Sequence, residues 1–215
     1  MRLNTNYYWF DDALSRDECQ RFIDLGLSQT ATAATTAQAA DAATRDSSIV
    51  WLDEPWIYEL LQPWVIRANA LAGWNWDWDF SEAAQFTIYA QDQYNDWHSD
   101  SDHRPYELYN ADVHELIMNA AGESVPADNH VVFNRSAAGK IRKLSLVCNL
   151  SDPDSYAGGD LQFDFGYQQP VHTCTEIRNQ GSIIVFPSHL LHRLTPITAG
   201  TRYSLVLWNL GLPFR

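Results

Sequence analysis

A chain of 215 residues with 46% hydrophobic content can build one domain around its own core without staples. Its 27 acidic against 14 basic side chains leave a net charge of −13, which repels a phosphate backbone and excludes nucleic acid as the natural partner. Cys19, Cys148 and Cys174 are odd in number and widely spaced, so they make neither a disulfide framework nor a zinc site and predict a reducing, cytoplasmic setting.

No apolar run approaches the roughly 18 residues of a membrane span, and Met1 to Tyr7 lacks an apolar leader core, so the expectation is a soluble, unexported protein. Ser15 and Glu18 have capping-box spacing, and Phe22, Ile23, Leu25 and Leu27 give an apolar side to a helix from about Ser15 to Leu27. Ala31 to Thr44 is nearly all Ala and Thr, with little to bury, and reads as a mobile loop or a frayed helix. A second helix starts near Pro55 and runs through Ile57, Leu60, Leu61, Trp64, Val65 and Ala68. Trp74, Trp76 and Trp78 alternate, and aromatic core packing is preferred over a binding groove. Residues 1–80 are thus expected to be helical support.

From about Glu82 the pattern changes to short strands: Ala84 to Tyr89, Leu144 to Leu150, Asp160 to Phe165, Gly181 to Phe186 and Thr201 to Leu210. Gly181 to Phe186 is continuously apolar, as a strand buried on both faces would be. Helices followed by strands predict an α+β domain, with helices packed on one face of an antiparallel sandwich or jelly roll. Residues 103–140 form a long insertion broken by Pro105, Gly122 and Pro126, with a short helix expected within 107–121. Its position just after the candidate site favours a lid.

The chemistry starts at His98-Ser99-Asp100. Residues two apart on an extended strand share a face, so imidazole and carboxylate can reach one cation. Alone, such a pair is an ordinary surface coincidence. A second histidine after the buried strand ending at Pro187 would complete two imidazoles and one carboxylate, the facial arrangement that leaves an octahedral metal open on its other side. His192 and His189 both lie there. Alternation then puts Arg202, Ser204, Val206 and Trp208 on one face of the last strand. A buried arginine needs an anion, which a bidentate carboxylate with help from the Ser204 hydroxyl would supply.

Tyr89, Tyr94-x-x-x-His98-x-Asp100, Lys143-Leu144-Ser145-Leu146, Asp152-x-x-x-Tyr156-x-Gly158-Gly159-Asp160-Leu161, Phe186-Pro187-Ser188-x-x-x-His192-Arg193-Leu194-x-Pro196 and Gly200-Thr201-Arg202-Tyr203-Ser204 follow one another in order. Together, over about residues 82–210, they resemble the prolyl 4-hydroxylase-like 2-oxoglutarate/Fe(II) dioxygenases. The resemblance implies a double-stranded β-helix with Fe(II) on His98, Asp100 and His192. It selects His192 over His189, and it implies Arg202, with Tyr89 and Ser204, as the holders of 2-oxoglutarate. The expected reaction hydroxylates a C–H bond, with dioxygen consumed and succinate and carbon dioxide as coproducts. Retention of Asp100 favours hydroxylation over halogenation.

The substrate expected from the resemblance is a peptidyl proline, with a free amino acid or another small metabolite as the alternative. A non-catalytic metal-binding β-barrel is the third reading, and the open coordination argues against it. Tyr94, Trp97, Arg142 and Trp208 are the candidate substrate contacts; Arg142 and Arg193 are solvated arginines by default. His103, His114, His130 and His172 read as ordinary surface or satisfied histidines.

Overall fold

The Ser15 hydroxyl accepts from the Glu18 backbone N–H at 3.2 Å, and the Glu18 carboxylate accepts from the Ser15 backbone N–H at 2.7 Å. This reciprocal cap starts α1, Arg16–Ser28, close to the expected boundary. Pro55 opens α2, Pro55–Leu71, in the first turn, where a missing N–H forfeits no intrahelical bond. The computed structural model describes residues 5–34, 45–119, 122–166 and 169–214. Most of the Ala/Thr-rich stretch, 35–44, lies outside the described residues, and Thr32–Ala33 before it is a short strand.

The strands that position the site are β1 Tyr8–Phe10, β2 Arg45–Asp46, β3 Ser48–Leu52, β4 Ala84–Tyr89 and β5 Tyr94–His98. After the 103–140 insertion come β6 Ile141–Asn149, β7 Leu161–Asp164, β8 His172–Cys174, β9 Ile183–Pro187, β10 Leu191–Leu194 and β11 Arg202–Gly211. The larger, antiparallel sheet has the order β1-β9-β6-β11-β4-β3 with Thr32–Ala33 outermost, and Phe80–Ser81 pairs with β11. The smaller sheet runs β8-β7-β10-β5-β2, also antiparallel.

The expectation that residues 1–80 are purely helical support is corrected, because β1, β2 and β3 belong to the two sheets. A period of two over two to five residues hardly registers beside two strong helical patterns, and the partner of β1 lies some 175 residues away in sequence (Tyr8 opposite Val185). The short helix expected within 107–121 is corrected too. There Glu107–Leu108 pairs in parallel with Val131–Val132, and Leu116–Met118 forms a hairpin with Ser124–Pro126. The Asn110 side chain accepts from the Asp112 N–H at 3.0 Å, which drives a local turn in competition with helix.

Alternation divides β11 cleanly. Leu205 and Leu207 join Phe22, Ile57, Leu61, Val65, Leu144 and Leu146 in the main core, and the intervening residues face a cavity between the sheets. In β9, Ile183 and Val185 enter that core while Ile184 and Phe186 pack with Leu161 and Phe163. Both faces are therefore buried, which is why its sequence is apolar without a break. No helix among the described residues is long and apolar enough to cross a membrane.

Candidate active site

β5 and β10 run antiparallel with His98 directly opposite His192. The next matched pair is Asn95 with Leu194, three residues along one strand and two along the other, so β5 carries a bulge at Asp96-Trp97. That extra residue lets Asn95 and His98 both face the cavity, where regular alternation would separate them. Asp100 follows the strand end, and its backbone N–H donates to the Ser188 carbonyl at 2.8 Å.

Each imidazole is fixed by a backbone carbonyl. Nδ1 of His98 donates to the Asp96 carbonyl at 2.7 Å and Nδ1 of His192 donates to the Leu190 carbonyl at 2.8 Å, which turns both Nε2 lone pairs towards the cavity, where that of His98 meets Asn95 Nδ2 at 3.2 Å. The Nε2 atoms stand 3.7 Å from opposite oxygens of the Asp100 carboxylate, and the three donor atoms lie within 4.8 Å of one another. Two imidazoles and one carboxylate converging from three chain positions fit a divalent cation with open coordination. Burial and the neighbouring His192 push His98 down to about 4, only partly offset by Asp100, so its lone pair carries no proton at neutral pH. Burial alone would raise the Asp100 carboxyl, yet the two histidines, Arg142 and Ser145 hold it below its ordinary value. Ser145 Oγ donates to Asp100 at 2.6 Å and meets Ser188 Oγ at 2.9 Å.

The cavity measures about 310 Å³ and is walled by both sheets. Arg202 is 2% exposed, its Nε has no partner, and among the described residues no carboxylate lies within 4.0 Å of it. Tyr89 is its cross-strand partner, and Ser204 projects from the same face two residues along. This cationic end can bind an oxo-acid carboxylate: burying a guanidinium is costly, and only an anion restores the balance.

His98, Asp100, His192, Arg202, Tyr89, Ser204, Arg142 and Trp208 all line this one cavity. Tyr94 and Trp97, the other two expected substrate contacts, do not line it. The Trp97 ring instead lies under the Arg193 guanidinium at 4.7 Å, because the inward turn of His98 sends its neighbour outward. The solvated reading of Arg142 is corrected as well: it stacks on Trp208 at 3.9 Å and is held by both Glu82 oxygens at 2.9 and 2.5 Å. A register shift between Arg142 and Leu144 turns it inward. His189 lies away from the donors, 5.2 Å from the His103 ring, which agrees with the choice of His192.

Sequence reasoning missed Ser145, Ser188, Glu82, Arg45 and Asn95 as parts of the site. For Ser145 a signal existed, a hydroxyl inside the apolar run from Leu144 to Cys148. For Arg45 and Glu82 none did, since their roles depend on pairings across long sequence separations.

A family model for the 2OG-Fe(II) oxygenase superfamily matches residues 84–209. A PKHD-type hydroxylase of Synechococcus sp. (strain CC9605) is 37% identical over 99 residues, 45% of this chain and 41% of the relative. A PKHD-type hydroxylase of Hyphomonas neptunium is 32% identical over 95 residues, 43% of this chain and 41% of the relative. The matches thus span about two fifths of those curated relatives. In fold, the chain is similar to a viral collagen prolyl hydroxylase from Paramecium Bursaria Chlorella virus-1, with a TM-score of 0.63 and 17% identity, covering 97% of this chain and 98% of that one. It is equally similar to a Trichoplax adhaerens prolyl hydroxylase solved with a hypoxia inducible factor peptide, with a TM-score of 0.64 and 18% identity over 96% and 84% of the two chains. With its match extending from β4 to β11 across every donor in the cavity, the chain belongs to the 2OG-Fe(II) oxygenase superfamily.

Proposed function

We propose that the protein is a hydroxylase in which His98, Asp100 and His192 hold Fe(II) and Arg202, Tyr89 and Ser204 hold 2-oxoglutarate. The observation that carries this is one cavity containing both a convergent His-Asp-His donor set and a buried arginine without a counterion among the described residues. Bound iron supplies the oxidising chemistry, coupling decarboxylation of 2-oxoglutarate by dioxygen to hydroxylation of a C–H bond, with succinate and carbon dioxide released.

The chain's own part is positioning. Arg202 pairs with the distal carboxylate of the oxo-acid, the Tyr89 and Ser204 hydroxyls add hydrogen bonds, and Leu161, Leu194 and Val206 give that end of the cavity an apolar wall. A prolyl residue of a peptide is the leading substrate, a reading supported by the names of the similar proteins, and Trp208 with Arg142 supplies a flat, rigid surface for its ring. Tyr106, Asn129 and His130 bring the 103–140 segment to the cavity wall, which supports its role as a lid. The single apolar cluster joining α1 and α2 to β6, β9 and β11 supports their role as a brace on one face of the larger sheet. Three unbridged, buried thiols suit a reducing compartment such as the cytoplasm.

Anaerobic titration of the Fe(II)-loaded protein with 2-oxoglutarate tests the proposal. A saturable visible charge-transfer band, absent in His98→Ala, is the expected result. Bound iron with no band would leave a metal-binding module and remove the oxygenase assignment.

A further inference from the structure

The charges around the cavity are matched with one exception. Asp100 belongs to the donor set, Asp102 meets His130 at 3.1 Å, Arg142 is neutralised by Glu82, and Arg202 serves the oxo-acid in the function proposed above. Arg45 also lines the cavity, and its Nε donates to Ser47 Oγ at 2.9 Å. Among the described residues no carboxylate lies within 4.0 Å of its guanidinium, and its charge is felt at His98.

The neighbour of Arg45 across the strands is Asn95, its direct partner in the antiparallel pairing of β2 with β5. Directly opposed residues project from the same face of a sheet, and both of these line the cavity. Asn95 is 8% exposed and its Oδ1 is buried without a partner, while its Nδ2 lies 3.2 Å from His98 Nε2. An imidazole lone pair committed to a cation cannot also accept that hydrogen bond, so the whole amide of Asn95 is left available beside the donor set. A guanidinium with no counterion among the described residues and an amide whose buried Oδ1 has no partner therefore adjoin the metal donors. They stand on the smaller sheet, whereas Arg202 stands on the larger.

We propose that Arg45 and Asn95 form a subsite for a substrate carboxylate, so that the molecule hydroxylated carries an anionic group close to the C–H bond that reacts. The inference rests on the iron and 2-oxoglutarate reading. Arg45 takes the carboxylate, and the Asn95 amide accepts from a neighbouring substrate N–H. That carboxylate belongs either to the α-position of a free or C-terminal residue, or to an acidic side chain beside the target residue in a peptide.

The experiment uses the full chain loaded with Fe(II) and 2-oxoglutarate without oxygen, and reads the perturbation of the visible band as probe is added. The probes are L-proline against L-prolinamide, and the doubly blocked peptide Ala-Pro-Glu against Ala-Pro-Gln. At least one acid should bind about tenfold or more tightly than its amide partner, and the pair that shows this identifies the source of the carboxylate. Arg45→Gln should abolish the preference. Arg45→Lys keeps the charge without the fork and should retain part of it, so a folding defect in the glutamine variant cannot stand in for the result. Equal binding of acid and amide, no binding of any probe, or a preference that survives Arg45→Gln overturns the subsite. Those outcomes leave the oxygenase reading intact, whereas absence of the band from the intact protein removes both.

Discussion

His98 and His192 face each other across an antiparallel strand pair with ring centroids 4.2 Å apart, each ring tied through Nδ1 to a carbonyl of its own chain segment. The backbone thus sets the donor geometry before any ion binds. His98→Ala or Asp100→Ala should abolish metal-dependent turnover while the circular dichroism spectrum stays native, because neither side chain belongs to an apolar core cluster. Equilibrium dialysis with Fe(II) checks the assignment, and a variant that binds iron as tightly as the parent would refute it.

Ser145 aims the third donor. Its hydroxyl donates to Asp100 at 2.6 Å and is itself steadied by Ser188. Ser145→Ala should weaken Fe(II) binding by about tenfold to a hundredfold, the usual cost of losing an outer hydrogen bond to a metal ligand. Ser145→Thr keeps the hydroxyl and should recover most of the affinity. Equal affinity in the alanine variant would show that Asp100 is oriented by its backbone alone.

These two sites mark how far the sequence could be read. The donors were legible because His98-x-Asp100 and His192-Arg193-Leu194 sit inside ordered motifs, and strand alternation alone put Arg202, Ser204, Val206 and Trp208 on the cavity face. Strands β4, β9 and β11 were legible because long or doubly buried strands leave an apolar run, and β7 because Leu161 and Phe163 alternate with Gln162 and Asp164. Asn95 was missed because a bulge, invisible in a hydrophobic pattern, breaks alternation before His98. Arg45 stayed hidden because its meaning depends on being opposite Asn95, a pairing across 50 residues that no local signal encodes.

Arg202 pulls stability and function in opposite directions. Without an anion it is a buried charge lacking a carboxylate partner among the described residues, so Arg202→Met should leave the thermal midpoint of the ligand-free protein unchanged or higher. In the parent, 2-oxoglutarate at a hundred times its dissociation constant should add about 2.7 kcal/mol of stability. The methionine variant should lose most of that gain. Calorimetric melts with and without 2-oxoglutarate decide the matter, and an unchanged ligand-induced rise would remove Arg202 from the oxo-acid site.

Gly26 allows α1 to lie directly on the larger sheet. A Cβ at this position would stand 2.3 Å from Phe86 Cδ1, and Phe86 is fully buried in the main core. Gly26→Ala should therefore cost about 1–3 kcal/mol by overpacking, despite the better helix propensity of alanine. Adding Phe86→Leu should recover part of the loss, which a double-mutant cycle in urea would measure. Additive effects of the two changes would mean that the helix shifts freely.

The three thiols give a prediction in pH. Burial, with Glu18 nearby, pushes Cys19 up to about 11; burial and Glu176 push Cys174 up to about 12; burial carries Cys148 well above its ordinary value. A folded pKa above the unfolded one means that the native state keeps its proton longer. The resulting stability is fully present below pH 9, the ordinary thiol value here, and is lost as pH rises from 9 towards 11 and 12. Since the thiolate is the nucleophile, only about one Cys19 in a thousand is reactive at pH 8, and the native protein should resist iodoacetamide there. Unfolding in guanidinium at the same pH should release all three. Rapid native alkylation of Cys19 at pH 8, followed by mass spectrometry, would show that α1 opens far more readily than its buried face requires.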